Sequence, residues 1–460
     1  MLESEWKGAP LSVEVGPAAV NGKYAVVRLV LSTTSDEKVS ISQPFGPPKY
    51  PATMVSITML SLDKGLVYRE LNVGSHHMLD GLKKGEPLEL YPVFRAPNEG
   101  VDVVELHLPQ VGVAAGIPVV KDAQTDFSVN DVVSKAELDD SDPGPFKIET
   151  VSLAADGSSD TKQDEKSTTV TVAGDVTFAV DSDQLSAQAD GVLAGVVEQI
   201  RKYPSGGDLT ITGHTDDVAD DVHNQDLSER RAKAVAERLK TLTDLSKWKQ
   251  SVSGKGESSP RMPNDSEENK QSNRRVEITL KPSKPSENSS APEASVAPSS
   301  TALPGPAGPV GKGPEGVDVT VDGKSLHMSV DHVVRIGEYL TGSVELSSDQ
   351  EVSIPAAAFA LPEAMQKVHG GWVIGGVYSL TLLSGSTRYM EADCEPPGGD
   401  RLPVAMTSFG SSVTPGVPVR LPVVWPDPGG DSVTIDLPEG ETRLNGRIVA
   451  RLTDIPVMSV

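Results

Sequence analysis

The stretch KPSKPSENSSAPEASVAPSSTALPGPAGPVGKGPEG, residues 281–316, most limits what this chain can build. A run of Pro, Ser, Ala and Gly buries too little apolar surface to offset the entropy of ordering it, so it reads as a semi-extended linker. A second stretch, SKAELDDSDPGPFKIETVSLAADGSSDTKQDEKS at 134–167, is mostly polar and reads the same way. The expected organisation is a block at 1–133, a polar linker at 134–167, a block at 168–281, a Pro/Ser/Gly linker at 282–316 and a block at 317–460. For a chain of 460 residues this agrees with a prior of about 150 residues per domain.

Charge and composition exclude several classes. Lys plus Arg is 41 and Asp plus Glu is 65, a formal net charge of −24. A chain this acidic repels phosphate backbones and anionic membranes at long range, so nucleic acid is not an expected partner, although local basic spots are compatible with it. The aromatic share is 4%, with 42 Gly and 36 Pro, which suggests several modest cores in place of one large enzyme core. The one cysteine, Cys394, has no disulfide partner in the chain and no sulfur companions for a metal. No apolar run of 18 or more residues is present, so no transmembrane helix is expected. The N-terminal MLESEWKGAPLSVEV lacks the basic and apolar regions of a secretory signal, which by itself points to an intracellular protein or to a start lacking its leader.

The first and third blocks are dominated by alternating Val, Leu, Thr and Ser runs broken by Gly, Pro, Asn and Asp. This pattern predicts short strands in a sandwich. The two blocks also echo each other. LVLSTTSDEKVSI (29–41) resembles SVELSSDQEVSI (343–354), and PLELYPVFRAPNEGVDVVELHLPQ (87–110) resembles PVRLPVVWPDPGGDSVTIDLPE (418–439). Between them, LVYREL (66–71) and TRYMEA (387–392) fall in the same order. The expectation is two all-β sandwiches, the last a possible duplicate of the first. Both resemble the small immunoglobulin-like domains of bacterial cell-surface proteins.

The middle block changes period. VTVAGDVTFAV (170–180) alternates like a strand, then Leu193, Val196, Val197 and Ile200 recur at helical spacing. DLTITG (208–213) reads as a strand, Leu227, Val235, Leu239 and Leu242 mark a second helix, and WKQSVSGKG and RRVEITL (274–280) read as two more strands. The order β-α-β-α-β-β predicts a compact α/β sandwich with its helices on one face of a mixed sheet.

Between that strand and helix lies TGHTDDVADDVHNQDLSERRA (212–232). Leu227, Arg231 and Val235 share one helical face, so Arg231 belongs to the stripe that packs on the sheet, while Arg230 and Lys233 point elsewhere. A desolvated guanidinium needs a carboxylate partner or a bound anion. Asp216, leaving the strand at Gly213, is the nearest carboxylate in sequence. Asn224 is the expected N-cap, with Asp226 and Glu229 in the first turn. For Asp216 and Arg231 the bland alternative is an internal ion pair holding the loop to the helix.

GHTDD…NQDLSERRA, followed by GKGESSPRMPNDSEENKQSNRRVEI (254–278) and preceded by VTFAVDSDQLSAQA (176–189), resembles the OmpA-like domain, the peptidoglycan-binding module also found in MotB and Pal-type lipoproteins. The resemblance covers about residues 170–280. It implies a non-catalytic pocket for the diaminopimelate of the peptidoglycan stem peptide. By the same resemblance Asp216 pairs with the ligand ammonium and Arg231 with its carboxylate. Asp181, Thr215, Asn224 and Arg274 would shape the pocket or hold the ligand backbone. One acceptor-only carboxylate and one bidentate donor fork suit the zwitterionic head of an amino acid. The loop departs from the family in reading DVADDV where many relatives carry a Gly, and the extra Asp217, Asp220 and Asp221 would make the mouth more negative.

Other chemistries find little support. The acidic cluster lacks the residue order of an EF-hand loop, and His214 and His223 have no third ligand at sensible spacing, so no metal and no cofactor are expected. No nucleophile elbow, P-loop or HExxH motif occurs, and no enzyme is expected. The resemblance places the chain in the cell envelope, outside the cytoplasmic membrane, against the plain reading of its N-terminus. Two functions remain: a wall anchor whose sandwiches face protein partners, or a structural envelope protein whose OmpA-like fold no longer binds peptidoglycan.

Overall fold

The computed structural model describes residues 1–460 except 7, 40, 42–56, 74–80, 142–143, 165, 180, 285–302, 356, 370–375, 396–400, 406–411, 441–445 and 460. The chain divides into two compact units. One comprises residues 1–149, 305–384 and 389–460, and the other residues 150–304 and 385–388.

In the first unit the N-terminal half holds two sheets around one core. Strands Leu2–Trp6, Ala9–Asn21, Tyr24–Ser32 and the pair Leu88–Leu90 and Val93–Arg95 form the first sheet. Strands Leu66–Arg69, Thr58–Ser61, Val103–Leu108 and Gly112–Lys121 form the second. Alternate residues face inward: Leu29 and Leu31 from one sheet and Met59, Leu106 and Leu108 from the other are fully buried together. The C-terminal half repeats this plan around its own core, with Leu326, Val344, Leu346, Leu382, Ile435 and Trp425 inside.

The repetition extends to the ladder register. In the N-terminal half Tyr24 pairs with Arg95, Ala25 with Phe94, Leu29 with Leu90 and Leu31 with Leu88. In the C-terminal half Tyr339 pairs with Pro426, Leu340 with Trp425, Val344 with Leu421 and Leu346 with Val419. Each ladder continues with the same spacing. The bulge between Val104 and Leu106 also has its counterpart between Val433 and Ile435. Even the parallel pairing of Ala18 with Val119 recurs, as Val333 with Val457. The two halves belong to one unit because they share a further cluster, including Leu60, Leu62, Val67, Phe146, Ile148, Ala392, Cys394 and Val424. Residues 146–149 supply its backbone, pairing Phe146 with Val67 and Ile148 with Cys394.

Here the structure departs from the linker expected at 134–167. That stretch holds strands Phe146–Ala154 and Ser159–Gln163. Phe146, Ile148, Val151 and Leu153 are buried while the polar residues between them are not, so an alternating strand was hidden by its polar face. The flanks at 1–133 and 317–460 are likewise joined in one unit, and its boundaries fall at 149 and 305. Of the linker expected at 282–316, residues 285–302 lie outside the described residues, and strand Val310–Lys312 pairs with Ala450–Ser459.

The second unit follows the expected β-α-β-α-β-β order: strand Thr168–Ala173, helix Ala189–Arg201, strand Gly207–His214, helix Asp221–Leu242, then strands Trp248–Gly254 and Arg275–Pro282. In the sheet the order is 150–153, 159–163, 168–173, 275–282, 207–214, 248–254, with only the last pair parallel. Both helices pack on one face, where Leu193, Val196, Val235 and Leu239 meet Val170, Val172, Leu209, Ile211 and Ile278. The single strand expected over 170–180 ends at Ala173, and a short helical turn, Gly174–Thr177, follows.

Candidate functional site

Three features bring the 212–232 segment together. Gly213, next to last in its strand, lies so close to the long helix that a Cβ there would be 2.1 Å from the Ser228 carbonyl oxygen. Gly254 meets the same helix, with a Cβ position 2.2 Å from Ser228 Oγ. Only glycine permits this approach, and it brings the helix stripe against the loop leaving the strand. Ser228 Oγ then accepts the Gly256 N–H at 2.9 Å, and the Thr215 N–H donates to the Gly256 carbonyl at 3.0 Å.

The stripe falls as its spacing predicts: Leu227, Arg231, Val235 and Leu239 are all buried. Arg230 is turned outward, to Asp226 at 3.0 Å and Asp183 at 3.4 Å, and the Glu229–Lys233 pair stands at 3.8 Å. The helix start differs from the expectation. Asp220 is the N-cap, its side chain accepting the His223 N–H, and Asp221 is the acid of the first turn. Asn224 lies inside the helix and is buried. Its amide donates to the carbonyls of Asp216 and Ala219 and, at 2.6 Å, to Glu257 Oε2. It therefore clamps the acidic loop, a role its polar side chain could not fill from the cap position.

Arg231 is 6% exposed. Its Nε donates to the Ser182 carbonyl at 2.9 Å, and its guanidinium carbon lies 5.2 Å from the Phe178 ring centroid. Among the described residues its two terminal nitrogens have no hydrogen-bond partner. Burial lowers its pKa, opposed by the charges of Asp175, Asp181 and Asp216. Asp216 is not its ion-pair partner. The Asp216 carboxylate accepts from Arg274 Nη1 at 2.7 Å and from the Val218 N–H at 3.3 Å. The internal Asp216–Arg231 pair that sequence allowed is therefore replaced by Asp216–Arg274.

Arg274 is held by three carboxylates. Its Nε and Nη2 hold Asp175 at 2.9 and 2.8 Å, and Nη2 also reaches Glu267 at 2.9 Å. The hydrogen bonds to Asp175 come first among the causes that raise its pKa. It holds the Asp216 carboxylate in place, and four of its five N–H donors are engaged among the described residues. Asp181 sits on the rim with φ +47°, largely exposed and 3.7 Å from His223 Nε2. Thr215 lies beside Asp216 in the chain, 2% exposed, and its Oγ1 has no partner among the described residues. In the same domain His214 stands 3.7 Å from Glu277. Burial would raise the Glu277 pKa, but His214 and Arg275 hold it down to about 2.

Asp175, Phe178 and Glu267 were not singled out from sequence. Asp175 and Phe178 sat in a segment read as uninterrupted strand, and Glu267 in a loop full of acids. The signal that could have found Asp175 was the Gly174–Asp175 break in the strand alternation.

Residues 177–274 match the model of the OmpA family. The middle of the chain is an OmpA-family domain. Outer membrane porin F of Pseudomonas aeruginosa is 35% identical over 106 residues, which cover 23% of this chain and 30% of the porin. The probable lipoprotein YiaD of Escherichia coli is 36% identical over 108 residues, 23% of this chain and 48% of the lipoprotein. The chain thus spans less than half the length of either relative. The cell wall anchor of the T6SS from Pseudomonas aeruginosa is 29% identical, over 27% of this chain and 88% of that one, with a TM-score of 0.25. No helix among the described residues is long and apolar enough to cross a membrane.

Proposed function

We propose that the OmpA-family domain is a non-catalytic peptidoglycan-binding module whose pocket holds the diaminopimelate residue of the stem peptide. The observation that carries this reading is Arg231, a buried guanidinium whose two terminal nitrogens have no hydrogen-bond partner among the described residues. A desolvated cation kept without an ion-pair partner costs several kcal/mol, and a bound carboxylate would offset that cost. Asp216 takes the ligand ammonium, since a carboxylate offers about four acceptor positions and two are used here. Thr215 Oγ1 has an unfilled hydrogen bond beside it, Asn224 and Arg274 hold the loop and the carboxylate in place, and Asp181 adds negative potential at the rim. The matched family, and relatives named as an outer membrane porin and a lipoprotein, support a place in the bacterial envelope outside the cytoplasmic membrane.

The two halves of the other unit are read as duplicated immunoglobulin-like sandwiches, supported by their common register, which present surfaces to protein partners. A second reading, a fold that no longer binds peptidoglycan, is favoured by one observation: Asp216 already has Arg274 as its cationic partner. Sedimentation of the full chain with insoluble peptidoglycan separates the two. The first reading expects the chain in the pellet and free diaminopimelate to release it. A chain that stays in the supernatant sinks it.

A further inference from the structure

The bases of the OmpA-family domain fall into two groups. Those on the long helix and around the pocket are mostly matched to carboxylates: Arg230, Arg238, Lys270, Arg274 and Arg275 all have acidic partners. At the far end of the sheet the pattern reverses. Arg201, Lys247, Lys249 and Lys281 are exposed, and among the described residues none of them forms an ion pair within 4 Å; Lys247 donates to the Pro204 carbonyl at 2.8 Å and feels the charge of Asp244.

Backbone contacts gather them. The Gly207 N–H donates to the Lys247 carbonyl, and the Ser283 N–H to the Gly206 carbonyl. A Cβ on Gly206 would lie 2.1 Å from the Lys247 carbonyl oxygen, and one on Gly207 2.2 Å from that of Lys281. Register places Lys249 and Lys281 on either side of Asp208, all three on the sheet face away from the helices. Asp208 is the single acid within that row. Arg201 closes the neighbouring helix, where its charge also complements the helix dipole. The three lysines are on strands and loops and have no such reason to be there.

This end lies one full strand from the pocket. Gly207 opens the strand that His214 closes, a span of roughly 23 Å at about 3.3 Å per residue. The acids at the pocket mouth are therefore several Debye lengths away at physiological salt, where that length is about 8 Å. The domain carries an acidic end that holds the pocket and a basic end opposite it.

We propose that the Lys247–Lys249–Lys281 end is a docking surface for an anionic phospholipid bilayer, which would turn the pocket away from the membrane. The occupant is chosen by shape and charge: exposed ammonium groups spread over two strands and a loop suit a field of headgroups better than one bound anion. Long-range repulsion from the acidic remainder is screened, so contact is governed by this local charge. Each lysine near such a surface strengthens partitioning about five-fold.

The test is co-sedimentation of the full chain with vesicles of phosphatidylglycerol and phosphatidylcholine, and with pure phosphatidylcholine, at physiological and high salt. Binding is expected only to the anionic vesicles at physiological salt, where the remote acids are screened, and weakens as salt is raised further. Lys247→Glu/Lys249→Glu/Lys281→Glu is expected to lower it by roughly 100-fold or more. Lys233→Glu/Lys240→Glu/Lys255→Glu, the same charge change elsewhere, is expected to leave most of it. Equal loss in both triple variants, equal binding to both vesicles, or no binding overturns the proposal. Neutral Lys→Gln changes at the same three sites should reproduce the loss in a chain with native hydrogen exchange, which excludes unfolding as the cause. Peptidoglycan sedimentation of the same variants should be unchanged, so this result stands apart from the pocket reading.

Discussion

Replacing Glu70 by Gln is predicted to remove about 4 kcal/mol of the stability that the first unit loses between pH 5 and pH 8. Glu70 is 4% exposed, and one of its oxygens has no partner among the described residues. Burial raises its pKa from 4.5 to about 8, opposed by a hydrogen bond from the Ile57 backbone. The folded chain thus keeps a proton that the unfolded chain gives up above about pH 4.5, so stability is present in full below that pH and falls until pH passes about 8. From pH 5 to pH 8 this amounts to three units at about 1.4 kcal/mol each, about 4 kcal/mol. Gln keeps the shape without titrating. Its second N–H adds a cost that is the same at both pH values and cancels in the difference. The assay is urea unfolding at pH 5 and 8, followed by hydrogen exchange in strands Thr58–Ser61 and Leu66–Arg69. Wild type should lose about 4 kcal/mol more than the variant over that range. Equal losses would refute the reasoning. Glu391 occupies the same place in the second half, buried, with one oxygen taking the Val377 N–H and the other unpartnered among the described residues.

Other changes test the OmpA-family domain. Gly213→Ala should prevent its folding, because the new Cβ would meet the Ser228 carbonyl at 2.1 Å; circular dichroism and hydrogen exchange of the long helix report it. Asp220→Ala should cost about 1 kcal/mol through loss of the helix cap, read from exchange of the first helical turn with the core strands unchanged. Arg274→Met should leave the fold intact but free the Asp216 carboxylate, weakening diaminopimelate binding about ten-fold in calorimetry by loss of a charge-assisted hydrogen bond.

Much of the second unit was legible because its apolar residues keep strict periods. Leu193, Val196, Val197 and Ile200 can only be a helix face, and Leu209 and Ile211 only one side of a strand. Arg231 could be picked from the Arg230–Arg231 pair on the same ground. What sequence could not show was pairing between distant acids and bases. Arg274 and Asp175 lie far apart in the chain, and nothing local tells which of Asp216's possible cations reaches it. The strand at 146–154 was missed because its half-buried positions are Lys, Glu, Thr and Ser, so its composition looked like a linker, and because its alternation slips by one residue between Ile148 and Val151. The repeat was visible as three short echoes. That it continues through every shared ladder depends on backbone pairing, which many different residues satisfy.

The central claim is that Asp216 and Arg231 together read one zwitterion. The most direct measurement is sedimentation of the full chain, its Asp216→Ala variant and its Arg231→Leu variant with insoluble peptidoglycan, with hydrogen exchange of Ala232–Leu239 to show that each is folded. The account predicts that wild type pellets, that free diaminopimelate competes, and that each folded variant stays in the supernatant. Folded variants that pellet as wild type does would contradict it.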